Sequence, residues 1–298
     1  MKKIYTVTLS PALDVEYHTD KVSMGLNRTR SHTVSAGGKG VNVSRAIAGL
    51  MKKYSSDASL NTVFARGGET GELLRLLIEK ENLGRLYPVR CALPTRVNTS
   101  LIPDSGEEIE INAPGTPVGD GIYEIEKTVL SGIGNGDVVC VCGSVPSDVG
   151  KDYPAKLCAK IKKAGGVAVL DCDGEALKIA AEAEPESAAD LIKPNLSELS
   201  ALVGEDLSDI TPEKFAGCCA SLPFSSVIMT MAGDGAMYYS KGEYFAAAGE
   251  KKRVVRLKGA GDTFLGAYVF ARYVMGEDSR RAVEFAVETA GKYVAGEI

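Results

Sequence analysis

Two glycine-rich segments carry the residues best suited to chemistry. In KGAGDTFLGAYVFARYV, Gly259, Ala260 and Gly261 come directly before Asp262 and Thr263, which open a stretch with helical apolar spacing. Small residues let a backbone approach a ligand closely. A helix N-terminus offers unpaired N–H groups and partial positive charge, which suits a phosphoryl group in transfer. A carboxylate at that edge can take the proton of an attacking hydroxyl. The same pattern also describes an ordinary turn in which Asp caps a helix.

The second segment is SAGGKGVNVSRAIAGL, where Gly37, Gly38, Lys39 and Gly40 lead into another helix with Asn42 on its first turn. The glycines allow close contact, Lys39 brings charge, and Asn42 can bond hydroxyls; a plain turn before an amphipathic helix is the alternative. Neither segment is a P-loop, because G-x-x-x-x-G-K-[ST] occurs nowhere. G-x-G-x-x-G is also missing at Gly259, since position 264 is Phe, which weakens a dinucleotide-binding reading.

These segments need a scaffold. Short apolar runs over 4–9, 138–142, 167–171, 190–193 and 227–231 predict buried strands. Helical patterns cover 41–53, 71–81, 123–131, 153–164, 212–221 and 263–275, and an amphipathic helix follows Asp278. Such alternation predicts an α/β fold with a mostly parallel sheet between two helix layers, and ligands at the carboxyl ends of its strands. Residues 12–36 and 90–112 break the pattern with alternating β-branched and charged residues. They predict a small β-sheet lid inserted into one domain spanning 1–298.

Bulk composition narrows the function. The net charge of −5 gives no global field for nucleic acid or an acidic membrane surface, so an anionic substrate needs a local cluster of Lys and Arg. The N-terminal run is broken by Pro11 and Asp14 and reads as a first strand rather than a signal peptide. No apolar stretch is long enough to span a bilayer. The seven cysteines form no C-x-x-C pair and read as buried reduced thiols of a cytoplasmic protein.

Taken together and in order, TLSPALD, AGGKGVNVSRA, CGSVP, IKPNLSEL, TMAGDGA and KGAGDTFLGA resemble the PfkB (ribokinase-like) carbohydrate kinases over nearly the whole chain. The resemblance implies a ribokinase-like three-layer α/β/α sandwich and transfer of a phosphoryl group from ATP, with Mg2+, to a ketohexose phosphate. Fructose 1-phosphate is the leading acceptor; tagatose 6-phosphate and fructose 6-phosphate stay open. A catalytically silent sugar-phosphate-binding regulator on the same fold is the rival from another class.

The resemblance makes Asp262 the general base and Gly259, Ala260 and Gly261 an anion hole. It places Asp14, Gly38, Lys39 and Asn42 around the sugar. It assigns Arg96, in a T-R-x-N strand, to the substrate's phosphate, with Ser144 adding a hydroxyl. Asn195 and Glu198 form an N-x-x-E pair that organises Mg2+, Glu198 acting through water, with Lys193 as a phosphate neighbour. Thr230, Gly233 and Gly235 contact the ATP phosphates. Arg28, Arg30 and Arg90 are further cations near or on the lid. Lys258 departs from the family, which usually has Val before GAGD. A homodimer formed through the lid edges is expected.

Overall fold

Runs that are apolar at every position become strands here because helices cover the sheet on both sides. The computed structural model describes residues 1–104 and 107–298. Its large sheet is built from β1 (Lys3–Thr8), β4 (Ser59–Arg66), β5 (Arg85–Arg90), β8 (Val138–Cys142), β9 (Val167–Asp171), β10 (Leu191–Ile192), β11 (Ser226–Thr230), β12 (Gly235–Ser240) and β13 (Glu243–Ala248). The strand order is β13-β12-β11-β10-β9-β8-β1-β4-β5. Every pairing from β11 to β5 is parallel; β12 and β13 close the other edge antiparallel.

The period of two shows in β8. Val138, Cys140 and Cys142 enter one apolar core, and Val139 and Val141 enter the other. The first core lies under α1 (Lys39–Lys53), α8 (Ala260–Val269) and α9 (Ser279–Val294), with α2 (Gly68–Lys80) over an adjoining cluster. The second is covered by α3 (Gly121–Gly132), α4 (Tyr153–Lys163), α5 (Gly174–Ala180), α6 (Leu196–Val203) and α7 (Pro212–Ala220). This is the three-layer sandwich expected from the alternation. The helix expected over 263–275 is α8 followed by a π-helical turn, Phe270–Met275. From Asp262 to Val269 every residue of α8 is buried, as a helix wedged between α1 and α9 must be.

The lid is a separate sheet of β2 (Ala12–Thr19), β3 (Ser31–Gly37), β6 (Val97–Pro103) and β7 (Ile109–Ile111), in the order β3-β2-β6-β7. Its second half begins at Val97. Arg90, at the start of the expected 90–112 stretch, ends β5 in the large sheet instead, because Arg85–Arg90 finds a parallel partner in β4. Residues 105–106 of that stretch lie outside the described residues. Among the described residues, no helix is long and apolar enough to cross a membrane.

Candidate active site

Asp262 is the third residue of α8, not its cap. Gly259 takes the N-cap position at φ +85°, left-handed backbone that only glycine adopts easily. Tyr293 of α9 fixes this turn by donating its hydroxyl to the Lys258 carbonyl at 2.8 Å. The Asp262 side chain therefore points into the protein, where it is 8% exposed and accepts a hydrogen bond from Asn42 Nδ2 at 2.7 Å. Asn42 is itself held, since Arg45 Nη1 donates to its Oδ1 at 2.6 Å while Arg45 is clamped by Glu81.

Burial, and then the negative charge of Asp171, push the Asp262 carboxyl up from 3.8 to about 6; the Asn42 hydrogen bond and the charges of Lys193 and Lys39 oppose the rise. A carboxyl poised there is ionised at neutral pH yet basic enough to accept a proton.

Asp171 was not singled out in the sequence. It ends β9, is 1% exposed, and sits 3.4 Å from Lys39 Nζ and 3.5 Å from Lys193 Nζ. Its Oδ2 is buried without a hydrogen-bond partner. Burial opposes the charge on Lys39, but Asp171, Glu198, Asp173 and Asp262 outweigh it and hold the ammonium above its ordinary value. Two lysines, two buried carboxylates and the N-terminus of α8 thus converge at the carboxyl ends of β9 and β10.

Asp14 comes from the lid strand β2 and is 8% exposed. It accepts from Asn98 Nδ2 at 2.9 Å and lies 3.1 Å from Lys258 Nζ. Asn98 is the fourth residue of the T-R-x-N stretch, and parallel pairing of β2 with β6 sets it opposite Asp14. Gly38 caps α1 at φ +128°, so the chain can turn from β3 into α1 directly beside Thr8 and Pro11. Arg96 spends three of its five N–H donors on the carbonyls of Pro11, Ala113 and Ser10, at 3.4, 2.9 and 2.9 Å. It locks the lid root and leaves two N–H donors without a partner in this network. Ser144 is exposed, beside a small cavity it shares with Lys151 and Asp173.

Asn195 and Glu198 form a reciprocal capping box at the start of α6, each accepting from the other's backbone N–H at 2.8 Å. Thr230 pairs with Asn195 in an isolated bridge, which joins α6 to the turn after β11. Thr230, Gly233 and Gly235 line a cavity of about 480 Å³ with Ala260, Gly261 and Phe264. It lies between that turn and the last helices, and opens onto the glycine turn before Asp262. A second cavity, of about 520 Å³ between α1 and α9, is lined by Asn42 and Gly259 but not by Asp262 or Asp14. The remaining basic residues stay apart: Arg28 is exposed, Arg30 binds Asp20 and Asp104 within the lid, and Arg90 is exposed at the edge of the large sheet.

A buried carboxylate at a glycine-capped helix start, with Asp14 and Asn98 of the lid on one side and a cavity of about 480 Å³ lined by Ala260 and Gly261 on the other, is an arrangement suited to phosphoryl transfer to a hydroxyl. The chain belongs to the pfkB family of carbohydrate kinases, whose family model matches residues 4–296. It is 32% identical over 268 residues to a 1-phosphofructokinase of Bacillus subtilis (strain 168), covering 89% of this chain and 84% of that protein. It is 30% identical over 274 residues to the ATP-dependent 6-phosphofructokinase isozyme 2 of Escherichia coli (strain K12), covering 90% and 84%. The structure of phosphofructokinase-2 from Escherichia coli in complex with fructose-6-phosphate superposes with a TM-score of 0.87 at 28% identity, over 99% of this chain and 94% of that one. The ribokinase-like fold expected from the sequence is thereby established, and membership of a kinase family implies ATP as phosphoryl donor.

Proposed function

We propose that the protein transfers the γ-phosphoryl group of ATP to a ketohexose phosphate, foremost fructose 1-phosphate, giving fructose 1,6-bisphosphate and ADP. One observation carries this reading: Asp262 is buried, tethered by Asn42 and preceded by Ala260 and Gly261, which line the cavity shared with Thr230 and Gly233, while Lys258 at the head of the same turn pairs with Asp14 of the lid. A hydroxyl held there would lose its proton to Asp262 as its oxygen attacks phosphorus. The N–H groups of the Gly259–Gly261 turn would take the charge that develops on the phosphoryl oxygens. Asp14, Gly38 and Asn42 would orient the sugar. Lys39, Ser144 and the two remaining donors of Arg96 would meet its existing phosphate.

Among the described residues, no cluster of three or more His, Cys, Asp or Glu forms a metal cage. That suits Mg2+, which keeps most of its waters and arrives with the triphosphate. Glu198, through water, and the Oδ2 of Asp171, which makes no hydrogen bond and lies 3.5 Å from Lys193 Nζ, are the oxygens that would hold it. The ion would supply charge neutralisation on the β- and γ-phosphates. Lys193, next to Gly261, and Asn195 would face the same phosphates.

The exposed apolar side chains Val97, Ile109 and Ile111 on the lid support a homodimer that pairs two lids and shields the cleft from water. Dependence on ATP supports a cytoplasmic location. ADP release measured with MgATP and a panel of fructose 1-phosphate, fructose 6-phosphate, tagatose 6-phosphate and unphosphorylated sugars tests the reading. Turnover that requires a sugar phosphate, fastest with fructose 1-phosphate, is expected. Activity confined to unphosphorylated sugars, or none with any of the panel, would overturn it.

A further inference from the structure

Lys258 stands where the family resemblance leads one to expect Val, and its ammonium reaches Asp14 of the lid. Its Nζ lies 3.1 Å from Asp14 Oδ2, with the lysine side chain 41% exposed and the aspartate 11%. Among the described residues this is the only ion pair joining the lid to the large sheet and its helices. The backbone of Lys258 is fixed, because its carbonyl accepts from the Tyr293 hydroxyl at 2.8 Å and Gly259 follows in left-handed backbone. The side chain is partly exposed, with Asp14 as its ion-pair partner.

The other two lysines of the site are engaged elsewhere. Lys39 lies 3.4 and 3.8 Å from Asp171 and Asp173, and Lys193 lies 3.5 Å from Asp171. Lys258 is different, since its single partner is the carboxylate that would receive sugar hydroxyls. Asp14 also accepts from Asn98, so it stays oriented if Lys258 leaves. Two sugar hydroxyls donated to Asp14 would replace the ammonium there. Released, the ammonium stands one residue before the turn that would cradle the phosphoryl group, where negative charge develops.

We propose that Lys258 is a catalytic cation: it pairs with Asp14 until sugar binds, and sugar binding redirects its ammonium to the oxygens of the phosphoryl group in flight. This rests on the kinase reading above and adds to it a switch of partner that couples acceptor binding to charge neutralisation. An aliphatic residue at this position would leave both tasks undone.

The test compares the wild type with Lys258→Met and Lys258→Arg. ADP release is measured with MgATP and fructose 1-phosphate, and binding of fructose 1-phosphate without nucleotide is measured by calorimetry. Lys258→Met should lose roughly ten- to hundredfold in kcat, in line with the loss of one preorganised charge partner. Its sugar-phosphate Kd should fall or stay within twofold, because Asp14 no longer has to shed a cation. Lys258→Arg should keep at least about a third of kcat. A kcat for Lys258→Met within twofold of wild type would overturn the proposal. So would a weakening of Kd as large as the loss in kcat/KM, which is the mark of uniform binding or of a structural role. If the wild type itself turns over no sugar phosphate, the kinase reading fails and this inference with it. An active wild type matched by Lys258→Met removes the inference alone.

Discussion

Asn42 and Asp262 are 220 residues apart in the chain, yet the amide of one donates to the carboxylate of the other at 2.7 Å. The bond ties the first turn of α1 to the first turn of α8. It also sets the basicity of Asp262, since it favours the ionised form against burial and the charge of Asp171. Arg45 makes the tether directional by taking the Asn42 oxygen, which forces the amide nitrogen toward Asp262.

Removing the tether should therefore show in a pH profile. With the Asp262 carboxyl near 6, kcat/KM of the wild type should fall as pH drops through that value, because the base becomes protonated. In Asn42→Ala the carboxylate loses a hydrogen bond to its charged form, so the acid limb should move up by about one pH unit. A profile superimposable on that of the wild type would count against the tether.

The raised carboxyl also has a consequence for stability. The folded value of about 6 lies above the ordinary 3.8, so the folded protein binds this proton more tightly than the unfolded chain does. Ionisation costs stability in full above about pH 6, and the cost disappears as pH falls toward 4. Asp262→Asn removes the charge and keeps an oxygen for Asn42. It should be more stable than the wild type at pH 7.5, by roughly 1–3 kcal/mol, with the gain fading between pH 6 and 4. Chemical denaturation at pH 7.5 and pH 4 checks both halves; a variant less stable at pH 7.5 would contradict the burial of an ionised carboxylate.

Arg96 joins the lid root to the large sheet through the carbonyls of Ser10, Pro11 and Ala113. Arg96→Met strands these acceptors and withdraws the remaining donors from the cleft. It should lower Tm, with each carbonyl left without a partner costing about 1–3 kcal/mol, and raise KM for the sugar phosphate at least about tenfold. KM for ATP should stay within about twofold, because the cavity proposed for the nucleotide contains no part of this network. Equal rises in both constants would assign Arg96 to general folding alone.

The sequence made the sheet readable where a doubly buried run is apolar throughout; Ser59–Arg66 is as deeply buried but was missed, because Asn61 and Thr62 interrupt its apolar run. Val138–Cys142 and Val167–Asp171 are apolar at almost every position, as strands covered on both faces must be. Edge and lid strands were harder to place. Arg85–Arg90 begins and ends with arginine and has one fully buried residue, so nothing in its composition distinguishes it from the lid that follows. Leu191–Ile192 is only two residues long.

The site divides in the same way. Asp262, Asn42 and Lys39 stand in glycine-rich turns whose backbone needs are visible in residue type. Asp171 follows an ordinary apolar run, and its importance comes from lysines 132 positions before it and 22 after it. The only signal for it was its place at the carboxyl end of a parallel strand. The structural part of Arg96 was hidden for another reason: its partners are backbone carbonyls, which every residue has.

The most direct measurement is kcat for Asp262→Asn, with ATP and sugar-phosphate affinities determined alongside by calorimetry. Loss of about two to four orders of magnitude in kcat, with both affinities within about threefold of wild type, is the expected result. Turnover close to that of the wild type would show that another group takes the proton, and the account of this site would fail.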